Sequence, residues 1–157
     1  MAPPLLFDIF QFDLTKDQFG VDEIERVNPH RGAMRMLDGI IYASDDFTRV
    51  LAYKDVRDDE FWVEGHIPGR PLFPGVLMIE AAAQTASYMA IRRGCCGSFL
   101  GFIGAEAIKF RGPVVPGDRL YVVGLEVKFK PKRAVCRAQG LVDGKLVFEA
   151  KITGMSM

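Results

Sequence analysis

The chain has 157 residues, 49% of them hydrophobic, which suits one domain able to bury a substantial core. Twenty basic residues balance twenty acidic ones, which argues against broad nucleic-acid binding through phosphate contacts. Cys95, Cys96 and Cys136 are odd in number and lack metal-ligand spacing, so they fit free thiols in a reducing, cytoplasmic compartment rather than a disulfide framework or a zinc site.

Residues 1–20 mix Leu5, Leu6, Phe7, Ile9, Phe10, Phe12 and Leu14 with Asp8, Asp13 and Asp17. This reads as a leader packed on the domain or on a partner subunit, with residues 21–157 as a single domain. There is no basic segment followed by a long apolar run, so no secretory signal is expected. Residues 21–27 suit a short helix, ended by Asn28-Pro29 because proline disfavours helical backbone in the residue before it. Residues 34–42 read as a strand, and 47–55, alternating Phe47, Arg49, Leu51 and Tyr53, as its hairpin partner. After the glycine- and proline-rich stretch 65–75, residues 76–92 form the main predicted helix. Its alanines favour helix, and apolar residues surround it, so it should be buried on most faces. Glu80 and Gln84 interrupt it, and it falls short of a membrane span. Gly94 is a plausible C-cap.

The remainder reads as β. Residues 99–103 and 105–111 suit one bent strand, 113–118 a turn, and 119–130 an alternating strand. Residues 134–142 and 145–155 flank Asp143-Gly144, a two-residue hairpin signal. One long apolar helix among five to seven antiparallel strands predicts an α+β, hot-dog-like fold, a sheet wrapped around one long central α-helix.

Chemistry is expected between Glu64 and Glu80. The stretch holds His66 in a loop stiffened by Pro68, Pro71 and Pro74, and it ends on a lone carboxylate in an apolar helix. Histidine and glutamate are a common pair for moving protons near neutral pH. Gly75 falls at the helix start, where unpaired N–H groups and the helix dipole would stabilise a carbonyl oxygen gaining negative charge. Glycine there lets a substrate approach the backbone closely. Glu80 is about 7.5 Å along the helix axis, and Gln84, one turn further on the same face, can hydrogen-bond its carboxyl. Taken singly, a histidine in such a loop is often a turn residue, and a glutamate in such a helix a buried anchor or an interface group. Together, beside a helix N-terminus, they point to proton transfer at a carbon next to a carbonyl. His30 has no nearby acid in the sequence and reads as structural.

The run from His66 through Pro71-Leu-Phe-Pro-Gly75 to Glu80-Ala-Ala-Ala-Gln84 resembles the signature of the FabZ-type 3-hydroxyacyl-[acyl-carrier-protein] dehydratases. Asn28-Pro-His-Arg31, Met36-Leu-Asp38, the turn from Phe110 to Asp118 and Asp143-Gly-Lys145 are similar to further family elements, so the resemblance covers about residues 21–155. Ile67 stands where the family usually has Phe, and Gly32-Ala-Met-Arg35 replaces a more aromatic stretch. The resemblance implies a hot-dog dimer with a shared active site, in which His66 is the base and Glu80, from the neighbouring subunit, the acid. It also implies a Gly75 amide that binds the thioester oxygen, with Gln84 beside Glu80. The reaction implied is dehydration of a (3R)-3-hydroxyacyl thioester to a trans-2-enoyl thioester in fatty-acid or related lipid biosynthesis, with no metal or other cofactor. The acyl group would arrive on the phosphopantetheine of an acidic acyl carrier protein. Arg92, Arg93, Lys109, Arg111, Lys128, Lys130, Lys132 and Arg133 are candidates for docking that carrier. Two other readings of the same fold are a non-catalytic acyl-thioester-binding protein and a thioesterase.

Overall fold

The computed structural model describes residues 2–157. Six antiparallel strands form one sheet in the order β1-β2-β4-β5-β6-β3. They are β1 (Gly39–Ala43), β2 (Arg49–Asp55), β3 (Leu100–Phe110), β4 (Arg119–Lys130), β5 (Arg133–Val142) and β6 (Lys145–Ser156). A short helix α1 spans Val21–Val27, and the long helix α2 spans Gly75–Arg93. This is the α+β hot-dog arrangement that the apolar pattern predicts. No helix among the described residues is long and apolar enough to cross a membrane.

The concave face of the sheet wraps α2. Met78, Ala81, Ala82, Tyr88 and Met89 are buried against strand residues such as Val50, Val122, Ala138, Phe148 and Ile152. At Gly124 a Cβ would lie 2.6 Å from the Met89 sulfur and 3.0 Å from a Thr85 methyl, so the missing side chain lets the helix sit close on β4. Gly94 ends α2 in the left-handed conformation at φ 112°, its amide returning to the Ala90 and Ile91 carbonyls. Asp143 and Gly144, at φ 49° and 75°, close the β5–β6 hairpin as a turn whose twist matches its strands. β3 is one strand with register shifts at Phe102/Gly104 and Glu106/Lys109, which is the bend expected of it.

The first predicted strand is shorter than its pattern. Residues 32–34 form a 3-10 turn, and β1 begins only at Gly39. The reason is local: Gln84 of α2 takes the Met36 N–H and the Met34 carbonyl, groups that a ladder would have paired. Residues 47 and 48 likewise belong to a turn, with Phe47 at φ 58° and Asp46 accepting from the Thr48 amide and hydroxyl.

The convex face carries its own apolar layer. Ile41, Leu51, Tyr53, Val123 and Leu141 lie beneath Leu5, Leu6, Phe7, Ile9, Phe12 and Leu14 of the leader. The buried Gln139 holds the strap: its Oε1 accepts from the Leu6 amide at 2.8 Å, and its Nε2 donates to the Pro4 carbonyl at 3.0 Å.

Candidate active site

The loop before α2 is tied at several points. Trp62 is buried with its ring 5.4 Å from that of Phe73, and Phe73 donates its amide to Val114. Lys54 reaches Glu60 at 2.7 Å, with both side chains almost wholly buried, so the base of the loop is pinned to β2. Sequence patterning gave no sign of this ion pair. His66 donates its backbone amide to Trp62 and accepts, at its carbonyl, the amide of Leu72. Its Nδ1 lies 2.7 Å from the Leu72 carbonyl. A carbonyl only accepts, so Nδ1 carries the proton and Nε2 presents a bare lone pair on the exposed side of the loop.

Gly75 opens α2 directly after Pro74. A Cβ on Gly75 would meet the Phe110 ring at 2.8 Å, so any side chain there would have to displace that aromatic. Leu77 and Met78 donate their amides to the Pro74 carbonyl, so the first-turn amides without a partner among the described residues, those of Gly75 and Val76, are the natural donors for an oxyanion.

Glu80 projects from the second turn and is about four-fifths buried. Its Oε1 accepts from Gln84 Nε2 at 2.8 Å. The orientation of the Gln84 amide is unambiguous, because its Oε1 accepts from the Met36 N–H at 2.8 Å and its Nε2 also donates to the Met34 carbonyl at 2.7 Å. Gln84 therefore offers Glu80 a donor and never an acceptor. His66 and Glu80 of one chain form no ion pair or hydrogen bond with each other.

His30 departs from its sequence reading. The fold supplies the acid that the sequence lacked: Nε2 of His30 lies 3.5 Å from Glu80 Oε1, and the buried Nδ1 has no partner among the described residues. The segment carrying it is braced on both sides. Asn28 donates to the Gln84 carbonyl, and the Arg31 guanidinium holds the carbonyls of Glu25, Asn28 and His30. Burial lowers the His30 pKa below 6.5, against the pull of Glu80 and with a smaller push from Arg31. The thiols are free, and burial pushes Cys136 up to about 12.

The family model described as a FabA-like domain matches residues 28–151. The 3-hydroxyacyl-[acyl-carrier-protein] dehydratase FabZ of Streptococcus equi subsp. zooepidemicus is 37% identical over 134 residues, 85% of this chain and 94% of that protein. The FabZ of Streptococcus pyogenes is 36% identical over the same share of this chain and 95% of its own. The chain belongs to the FabA-like family, among its FabZ-type dehydratases. It is accordingly a hydro-lyase.

For a FabZ-type dehydratase the fold likeness is broad. The dehydratase heterocomplex ApeI:P from Xenorhabdus doucetiae superposes with a TM-score of 0.71 at 17% identity, covering 85% of this chain and 90% of that one. A hypothetical thioesterase with coenzyme A from Streptococcus pneumoniae superposes at 0.57 and 15% identity, covering 74% and 85%. At such identities the likeness is one of fold. The family match begins at Asn28, so the leader and α1 of this FabZ-type chain lie outside it.

Proposed function

We propose that this enzyme removes water from (3R)-3-hydroxyacyl groups carried on acyl carrier protein, with His66 as base, Glu80 of the partner subunit as acid and the Gly75 amide as oxyanion donor. The observation that carries this reading is the His66 ring. Its Nδ1 is fixed on the Leu72 carbonyl, which leaves Nε2 free to take a proton. Nε2 takes the C2 proton, and the electron pair moves into the thioester carbonyl, whose oxygen is held at the start of α2. The enolate re-forms its carbonyl as the C2–C3 double bond appears and the C3–O bond breaks. Protonated Glu80 gives its proton to the departing hydroxyl, and water leaves. Proton exchange with solvent resets the pair. Every step is acid–base chemistry, so the reaction requires no metal or redox cofactor.

A shared site requires a dimer, and β3 offers the edge for one. It is eleven residues long and terminal in the sheet, and Phe102, Ile103 and Phe110 are about half exposed along it. An apolar edge of this length invites pairing with another chain. Antiparallel pairing of two β3 strands about their midpoints brings Leu100 of one chain near Phe110 of the other. Phe110 covers Gly75, while the start of β3 lies beside the end of β6, which pairs with Arg133. The β4–β5 hairpin of one subunit then flanks the helix start of its partner.

That hairpin is the best-supported part of the carrier-docking surface. Lys128, Lys130 and Arg133 line a cavity of about 200 Å³ and form no ion pair among the described residues. Arg92, Arg93 and Arg111 are engaged with Glu23, Glu126 and Glu149. An acidic carrier would be steered to the unneutralised cations.

The test is hydration of trans-2-enoyl thioesters, followed by loss of the enoyl absorbance. His66→Ala and Glu80→Gln should each fall about 10²- to 10⁴-fold. Near-wild-type rates in either variant would sink the assignment. Release of free thiol would instead indicate thioester hydrolysis.

A further inference from the structure

We propose that His30 is a positioning residue for Glu80, and that His30 and Gln84 together hold Oε1 so that Oε2 is the oxygen that exchanges a proton with substrate. The inference rests on the reading of Glu80 as the acid.

Two contacts and one open oxygen define the arrangement. Gln84 Nε2 donates to Glu80 Oε1 at 2.8 Å, and its orientation is fixed by two backbone groups. His30 Nε2 lies 3.5 Å from the same oxygen, at the outer limit of a hydrogen bond. Oε2 has no hydrogen-bond partner among the described residues. The carboxyl is therefore gripped on one oxygen and left open on the other.

The His30 tautomer follows from its two nitrogens. Nδ1 is buried and unpartnered, and an unpaired acceptor is tolerated more readily in an interior than an unpaired donor. The proton then sits on Nε2, the nitrogen nearest Glu80. A second donor on Oε1 favours the carboxylate that forms as Oε2 releases its proton. A neutral donor suits this task better than a cation, which would hold Glu80 ionised before substrate arrived. The charged groups facing the ring are Glu80 from α2 and Arg31 from its own segment, and burial keeps the ring neutral.

The bracing of the 28–31 segment serves the same end. Asn28 bonds to the carbonyl of Gln84 itself, so both donors to Oε1 move with α2. Arg31 donates to the Asn28 and His30 carbonyls and so restrains the backbone from which the ring projects.

The experiment compares kcat and KM for enoyl-thioester hydration in wild type, His30→Phe and His30→Gln, with His66→Ala and Glu80→Gln as controls. His30→Phe fills the space without a donor, whereas His30→Gln restores one. His30→Phe should lower kcat about ten- to a hundredfold with little change in KM. His30→Gln should recover most of that loss. A His30→Phe enzyme with wild-type kcat overturns the proposal, as does a His30→Gln enzyme no better than His30→Phe. If His30→Phe does not fold, the wild-type protein still decides. With only two histidines in the chain, ¹⁵N shifts assign each ring by comparison with His66→Ala. An Nε2–H tautomer at His30 whose shift moves in Glu80→Gln is expected, and an Nδ1–H tautomer refutes the inference. Should the controls stay active, the reading of Glu80 fails. Should they lose activity while His30→Phe keeps it, only the role of His30 fails.

Discussion

Gln84 engages every face of its amide, with the Met36 N–H on its oxygen and the Met34 carbonyl and Glu80 on its nitrogen. One buried side chain thus links three tasks: stopping β1 short, seating the turn at residues 32–34, and holding the Glu80 carboxyl. Replacing it with leucine keeps the bulk and removes the partners. Gln84→Leu should lower the unfolding free energy by about 1–3 kcal/mol through the orphaned Met36 amide, read as a lower midpoint in denaturant melts. An unchanged midpoint would mean that the Met34–Met36 backbone finds other partners. Glu80 itself shows why residue type and spacing take a reader only so far. The i,i+4 relation to Gln84 is written in the helix, but the contact with His30, fifty positions away, has no local signal.

At the scale of elements, the leader is the least ordinary part of this chain. Its strap runs over the convex face of the sheet, with Ile9 fully buried and Gln139 satisfying the backbone of Leu6 and Pro4. The sheet is thereby covered on both sides, by α2 within and by the leader without. Ile9→Ala should cost about 2–5 kcal/mol, the range for emptying a buried aliphatic site. Phe10, 63% exposed, is the internal control, and Phe10→Ala should stay within about 0.5 kcal/mol. Equal effects of the two substitutions on the melting temperature would show that the strap carries no stability. That the leader packs was suggested by its run of apolar residues. Which surface it covers was not, because the convex apolar layer is assembled from four strands distant in sequence.

For the whole molecule, assembly turns on β3, a terminal strand of the sheet. The opposite sheet edge, β1, is short, and Ile40 is engaged by Gln18 and Phe19, whereas β3 presents a long row of unpaired backbone and half-exposed Phe102 and Ile103. A charge on that edge should be tolerated by the fold and resisted by an interface. Ile103→Lys is expected to shift the protein toward monomer in light scattering, with native circular dichroism and loss of hydration activity. A fully active monomer would contradict the shared site.

The sequence by itself determined the elements whose causes are local. Asn28-Pro29 ends α1, the apolar alanine-rich run makes α2, Asp143-Gly144 turns β5 into β6, and alternation marks β4. It also determined the order of His66, Gly75, Glu80 and Gln84 along the loop and helix, because fixed helical spacing places residues four apart on one face. The tertiary structure alone decided the rest. Wrapping the sheet around α2 carried His30 to Glu80, closed Lys54 onto Glu60 and set Phe110 over Gly75. It drew Met34 and Met36 out of their strand, since a buried glutamine amide satisfies those backbone groups in place of a ladder. Such contacts join positions whose separation along the chain carries no period, so only the folded geometry specifies them.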